Sequence, residues 1–285
     1  MKTYTKIPVI RADQTDQSLY RELCEVYPEG EERKAFRMSL PVEDPRAQRI
    51  LELLRTHGMR PWEGFTSGSP EEFDLAYERV YDKRDFEQAA FLSPLPRDTF
   101  SVSHRRTPTG TLRVEVDEAK PKGQIVGTWG DALFVSADLR KQILEAKLGG
   151  VEVRPVEFMG RSGKPLAWDF WELTSSVTLP PLSPRNVFFA AAGNERQRVT
   201  AEYTSSYVLR EGMHSPDILY GLPELHYAAS ELLNLSPFDL ALTYERFGTD
   251  RPHLIASQGF YRFCVEHKLR MNWVPVRLDS EGEMQ

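Results

Sequence analysis

A chain of 285 residues, 40% apolar and 27% charged, is long enough to bury a sizeable core, and its composition excludes disordered and fibrous classes. Its formal net charge of -6 comes from 36 basic and 42 acidic residues without a basic cluster, which argues against nucleic acid and suits a basic partner. Cys24 and Cys264 are the two cysteines, with no cysteine or histidine at ligand spacing, so neither a disulfide framework nor a metal site is expected. Both thiols read as small core side chains.

The opening MKTYTKIPVIRADQ has no apolar segment of the kind that directs secretion. No later stretch approaches the ~20 apolar residues of a spanning helix. A cytoplasmic location without membrane contact is the expectation.

The first clear element is a strand at Ala35 to Leu40. Asp44 then suits an N-cap, Pro45 a first helical position and Gly58 a stop, with Ile50, Leu53, Leu54 and His57 at helical spacing. Residues 61–70 are rich in Pro, Gly and Ser and read as a loop. From Glu71 to Ala90, Phe73, Ala76, Tyr77 and Val80 recur at helical spacing and predict two short helices. Between Thr99 and Val116, alternating β-branched residues broken by Pro108-Thr109-Gly110 predict a hairpin. A polar connection follows, from Asp117 to Gly123.

Leu133-Phe134-Val135 is a short strand, Ser136 an N-cap, and Leu139, Ile143, Leu144 and Leu148 one helical stripe stopped by Gly149-Gly150. Val151 to Phe158 reads as a strand, Gly160 to Pro165 as a tight connection and Leu166 to Leu173 as a further strand. The pattern recurs near the C-terminus. Leu254-Ile255-Ala256 is a strand, Ser257 a cap, and Phe260, Cys264, Val265 and Leu269 a stripe. Ser136, Glu145, Lys147 and Leu148 return as Ser257, Glu266, Lys268 and Leu269, and Pro155-Val156 returns one residue early as Pro275-Val276. A helix crossover predicts parallel pairing within each module. A fainter echo joins Phe73-Asp74-Leu75-Ala76 and Tyr77-Glu78-Arg79 to Phe238-Asp239-Leu240-Ala241 and Tyr244-Glu245-Arg246.

Catalytic constellations are not legible. The six histidines, His57, His104, His214, His226, His253 and His267, have no second ligand three or four residues away. Gly160-Arg161-Ser162-Gly163-Lys164 lacks the spacing of a phosphate loop and is followed by Pro165, so a hairpin turn explains it. Glu224 and His226 could form an acid/base pair, but a hydrogen-bonded structural histidine is the preferred reading. A pocket holding His226, Glu224 and Asp239 would instead favour a hydrolase.

Trp168-Asp169-Phe170-Trp171 is the most unusual composition in the chain. In a strand it puts aromatic area on both faces, one of which could meet a partner. The partner-binding candidates are therefore Trp168, Phe170 and Trp171, with Asp239 and Glu245 of the C-terminal echo; no catalytic residue, metal or cofactor is assigned.

The run from Leu133 to Leu173 and the following WELTSSVTLPPLSP resemble bacterial polymorphic-toxin immunity proteins. ELHYAASELLNLSPFDLALTYERFG and LIASQGFYRFCVEHKLRMNWVPVRL resemble the closing half of their double-CxxCG group. The resemblance spans roughly residues 130 to 278. That group's cysteine pairs are absent here, since Pro184 to Tyr220 contains no cysteine. The resemblance implies an antidote that binds a cognate toxin, with Kd near nanomolar (about -12 kcal/mol) and an interface on the order of 1,600 Å². An inhibitor or escort of a secreted enzyme such as a protease is the alternative. The expected fold is α/β or α+β, as two related halves with strand-helix-strand modules and antiparallel hairpins. Their expected bounds are 1–180 and 181–285, meeting near residues 179–184.

Overall fold

The computed structural model describes residues 2–280 apart from 12–14, 62–71, 74–75, 101–102, 108–109, 117–118, 129–131, 184–185, 193–194, 201–224, 234 and 248–250. It contains two compact units: Met1–Asp85 with Ala191–Gln197, and Phe86–Ala190 with Arg198–Gln285. Helices and largely antiparallel sheets are mixed in both, an α+β arrangement with antiparallel hairpins.

The first unit contains β1 (Lys2–Arg11), α1 (Gln17–Val26), β2 (Glu31–Glu32), β3 (Ala35–Pro41), α2 (Pro45–Thr56), β4 (Arg60–Pro61), β5 (Glu72–Phe73) and β6 (Ala76–Val80). Its sheet has the order β2-β3-β1-β6. β3 and β6 both run antiparallel to β1, and are therefore parallel to each other with β1 between them. Asp44 caps α2 by accepting from the Arg46 N–H at 2.9 Å, and Gly58 ends it at φ +76°, a left-handed turn that glycine adopts without strain. Ile7, Leu19, Leu23, Phe36, Ile50 and Leu54 are fully buried and make the core of this unit.

A short helix, α3 (Lys83–Gln88), leads into the strands of the second unit. β7 (Phe91–Pro96) is followed by β8 (Thr99–Phe100), β9 (Ser103–Arg106), β10 (Leu112–Val116), β11 (Ile125–Thr128), β12 (Leu133–Ser136), α4 (Ala137–Ala146), β13 (Val151–Gly160) and β14 (Phe170–Ser175). β15 (Val187–Ala192) and β16 (Glu195–Thr200) form a two-stranded sheet. β17 (His226–Ala228), α5 (Ala229–Leu233), β18 (Leu240–Phe247), β19 (Arg251–Ser257), α6 (Gln258–Glu266) and β20 (Met271–Asp279) complete the chain.

One sheet has the order β8-β11-β12-β14-β13-β10-β9 and the other β17-β20-β7-β19-β18. The run β10-β13-β14-β12-β11 matches the second sheet strand for strand, in order and in direction. Both outer pairs, β10 with β13 and β17 with β20, are parallel, and the other neighbours are antiparallel.

Register matches as well. Trp171 of β14 lies between Val135 and Pro155, and Leu92 of β7 lies between Ala256 and Pro275. Ile125 faces Val135 as Leu240 faces Ala256. The Ser136 N–H donates to the Gln124 carbonyl at 2.8 Å, and the Ser257 N–H donates to the Asp239 carbonyl at 3.0 Å. Ser136 and Ser257 both cap their helices, and Lys147 and Lys268 leave them with φ of 51° and 53°. The helix faces of both sheets share one core, which buries Leu139 and Ile143 of α4 together with Phe260 and Cys264 of α6.

Several expectations change. Both strand-helix-strand stretches lie in the second unit, and the sheet of the later one also takes β7 from residues 91–96, a mixing that the expected bounds of 1–180 and 181–285 do not describe. Residues 179–183, next to the expected boundary, are tied into the second sheet: the Leu179 N–H donates to the Leu242 carbonyl and the Ser183 N–H to the His226 carbonyl, each at 2.8 Å. This segment runs along β18 and then meets β17, bridging the two edges of the second sheet. β12 and β13 are parallel as expected, yet not paired. The helix crossover leaves a one-strand gap, and β14 fills it antiparallel. Among the described residues from 72 to 90, the helical reading holds only for α3. Residues 76–80 instead form β6, pairing Tyr77 with Thr5, and the exposed Val80 fits an edge strand better than a buried helical stripe. The last strand of the hairpin after Gly160 starts at Phe170 rather than Leu166.

Candidate functional site

The aromatic candidates face inward. Phe170 is buried, and Trp168 and Phe158 pack beside it, with 5.3 Å between the Trp168 and Phe158 ring centroids. Trp171, on the opposite side of the strand, is half-buried against the shared core, and the Arg140 guanidinium of α4 lies 3.8 Å from its ring centre. That geometry is a cation–π contact, which covers the face expected to meet a partner. None of the three is exposed.

Asp239 joins the two matched sheets. Its carboxylate accepts from the Gly149 N–H and from the Ser257 hydroxyl, both at 2.8 Å, while its own N–H donates to the Gly149 carbonyl at 2.7 Å. Gly150 sits beside this clamp at φ +76°, where an added Cβ would lie 2.6 Å from the Leu240 carbonyl oxygen. Glycine is needed there for both reasons.

Glu245 is buried. One carboxylate oxygen accepts from the Leu182 N–H at 2.8 Å, and the other finds no hydrogen-bond partner among the described residues. Burial raises its pKa above the ordinary carboxylate value. Tyr227, on the opposite edge strand, has its phenol pushed up first by burial and then by the nearby Glu245 charge. Such an interaction between edge strands agrees with the bridging of the two edges by residues 177–183.

His226 and Asp239, named together as hydrolase candidates, are not partners; Glu224 lies outside the described residues. The His226 ring nitrogen Nδ1 is 2.9 Å from Asp279, whose other oxygen accepts from the Ser183 hydroxyl at 2.6 Å. The carboxylate stands between histidine and hydroxyl, so this histidine is not placed to take the serine proton. Asn186 ties the same corner, donating to the Ser183 and His226 carbonyls and accepting from the His226 N–H. The group fastens Ser183 and Asn186 to β17 and β20.

Of the thiols, Cys264 is fully buried, and burial raises its pKa far above the usual value, so it stays a protonated core group. Cys24 is half-buried against the core of the first unit. Among the described residues, no group of three or more His, Cys, Asp or Glu could hold a metal ion, and no helix is long and apolar enough to cross a membrane.

A cleft of about 510 Å³ opens where β7 leaves the second sheet and β8 enters the first. Arg97 and Asp98 come from that connection, Lys122 and Gly123 from the approach to β11, and Arg270 from the approach to β20. The Arg97 Nε donates to Asn272 at 2.9 Å, Arg270 pairs with Asp98 at 3.2 Å, and the Arg97 N–H donates to the Arg270 carbonyl at 3.0 Å. Gly123 allows close packing, because a Cβ there would be 3.0 Å from an Asp98 carboxylate oxygen. Sequence spacing could not find this site: its cations lie 25 and 148 residues apart along the chain, at positions 97, 122 and 270.

No protein-family model matches the chain, and no curated protein matches it significantly.

Proposed function

We propose that the chain is a cytoplasmic immunity protein that binds and neutralises a cognate protein toxin, acting by binding rather than catalysis. The observation that carries this reading is the resemblance of residues 133–173 and 254–278 to toxin-immunity proteins, together with the matched sheets into which both runs fold. A doubled, well-packed scaffold suits an inhibitor, because presenting a preformed surface lowers the ordering cost of tight binding. The groups most suggestive of chemistry serve instead as internal ties: Asp239 at Gly149 and Ser257, and Asp279 between Ser183 and His226.

Co-expression with the product of the gene beside this chain tests the proposal. Protection of the host cell and co-purification of the pair are expected. Loss of viability at full expression of the folded chain, with no toxin-like protein in a pull-down from the native cell, would remove it. A protease as the neighbouring product, inhibited before export, would favour the escort reading.

A further inference from the structure

We propose that the cleft between β7, β11 and β20 is an anion-recognition site that receives an acidic side chain of the partner protein. This rests on the reading of the chain as a partner-binding protein and names the chemistry of one contact. Among the described residues, three cations, Arg97, Lys122 and Arg270, line the cleft against one carboxylate, Asp98. The excess of positive charge is local, because the whole chain carries -6. The cleft therefore reverses the expectation of a basic partner at this point of the surface.

The two guanidiniums are held before any ligand arrives. Arg97 spends its Nε on Asn272, and Arg270 spends one terminal nitrogen on Asp98. Each keeps terminal N–H groups for a carboxylate, which a guanidinium can grip with two parallel hydrogen bonds. Asp98 is itself fixed, since its carbonyl accepts from the Gly127 N–H at 2.9 Å. Lys122 is exposed, and it supplies a mobile charge rather than a fixed fork. A volume of about 510 Å³ admits one or two side chains of a partner loop, not a folded domain.

The probe is a fluorescently labelled hexaglutamate peptide, titrated into the full chain at low salt and followed by anisotropy. Saturable binding is expected, weakened about tenfold by Lys122→Glu and by Arg97→Gln, and unchanged by Lys141→Glu on the exposed face of α4. Raising the salt from about 0.05 to 0.5 M should weaken it too. Two separate cleft variants guard against one that fails to fold, and melting curves identify it. Absence of saturation up to millimolar peptide would overturn the proposal, as would equal weakening by Lys141→Glu. Full displacement of the peptide by equimolar inorganic phosphate would also overturn it, by making a small phosphate the preferred occupant. Failure here with protection intact rejects the cleft and keeps the immunity function; failure of protection with peptide binding intact does the reverse.

Discussion

The two sheets of the second unit share order, direction and register, but they obtain their central strand differently. In the first, β14 follows β13 through the short turn at Gly160–Lys164 and slides back between β12 and β13. In the second, the same slot is filled by β7, which precedes its neighbour β19 by more than 150 residues. A strand-helix-strand crossover thus leaves a gap that any antiparallel strand of suitable pattern can fill, whether local or remote. The first unit repeats the solution, with β1 between β3 and β6. What differs is the loop that must close: the entropy of joining distant segments grows only slowly with length, so stability suffers little, whereas folding slows.

The largest expected effect comes from the shared register site. Leu92→Ala should destabilise the second unit by about 2–5 kcal/mol, since Leu92 is fully buried in the common core. Trp171→Ala, at the matching place, should cost roughly 1–2 kcal/mol, because Trp171 is half-buried and one face meets Arg140. Denaturant melts measure both; equal losses would break the comparison.

The caps give a smaller contrast. Ser136 accepts one N–H, from Leu139 at 3.3 Å. Ser257 accepts from Gly259 and Phe260 and also donates to Asp239. Ser257→Ala should therefore cost about 2 kcal/mol and Ser136→Ala about 1 kcal/mol. Indistinguishable melting shifts would mean that the Asp239 clamp adds nothing.

The difference between the sheets extends to pH. Glu245 belongs to the edge-bridged sheet, and its folded pKa lies above its ordinary value. The native state then binds the proton more tightly than the unfolded chain does. This contribution is fully present below about pH 4.5 and is lost as pH rises through the folded value. Glu245→Gln should consequently gain on the wild type as pH rises from about 4 to 8. A constant stability difference across that range would sink this account of the bridge.

Much of the second unit was legible from residues 133–158 and 254–276, because cap, stripe and exit dipeptide repeat in one register. The identity of each gap-filling strand was not, since β7 reads locally as FLSPLP and nothing in it names a partner 150 residues away. The third occurrence escaped because the segment after α2 changes length and its exit strand, β6, carries helical spacing. Trp168, Phe170 and Trp171 stand out in composition, but composition alone could not say that Phe158 and Arg140 pack against them. The cleft was invisible because its three cations come together only through the crossing from β7 to β8.

Native-state hydrogen exchange resolved by residue tests the central structural claim directly. If β7 is the middle strand of the second sheet, its amides should open with the same free energy as those of β19 and β20, and match β14 within about 1 kcal/mol. The amides of Phe91, Leu92, Ser93 and Leu95 exchanging freely while β19 and β20 stay protected would contradict it.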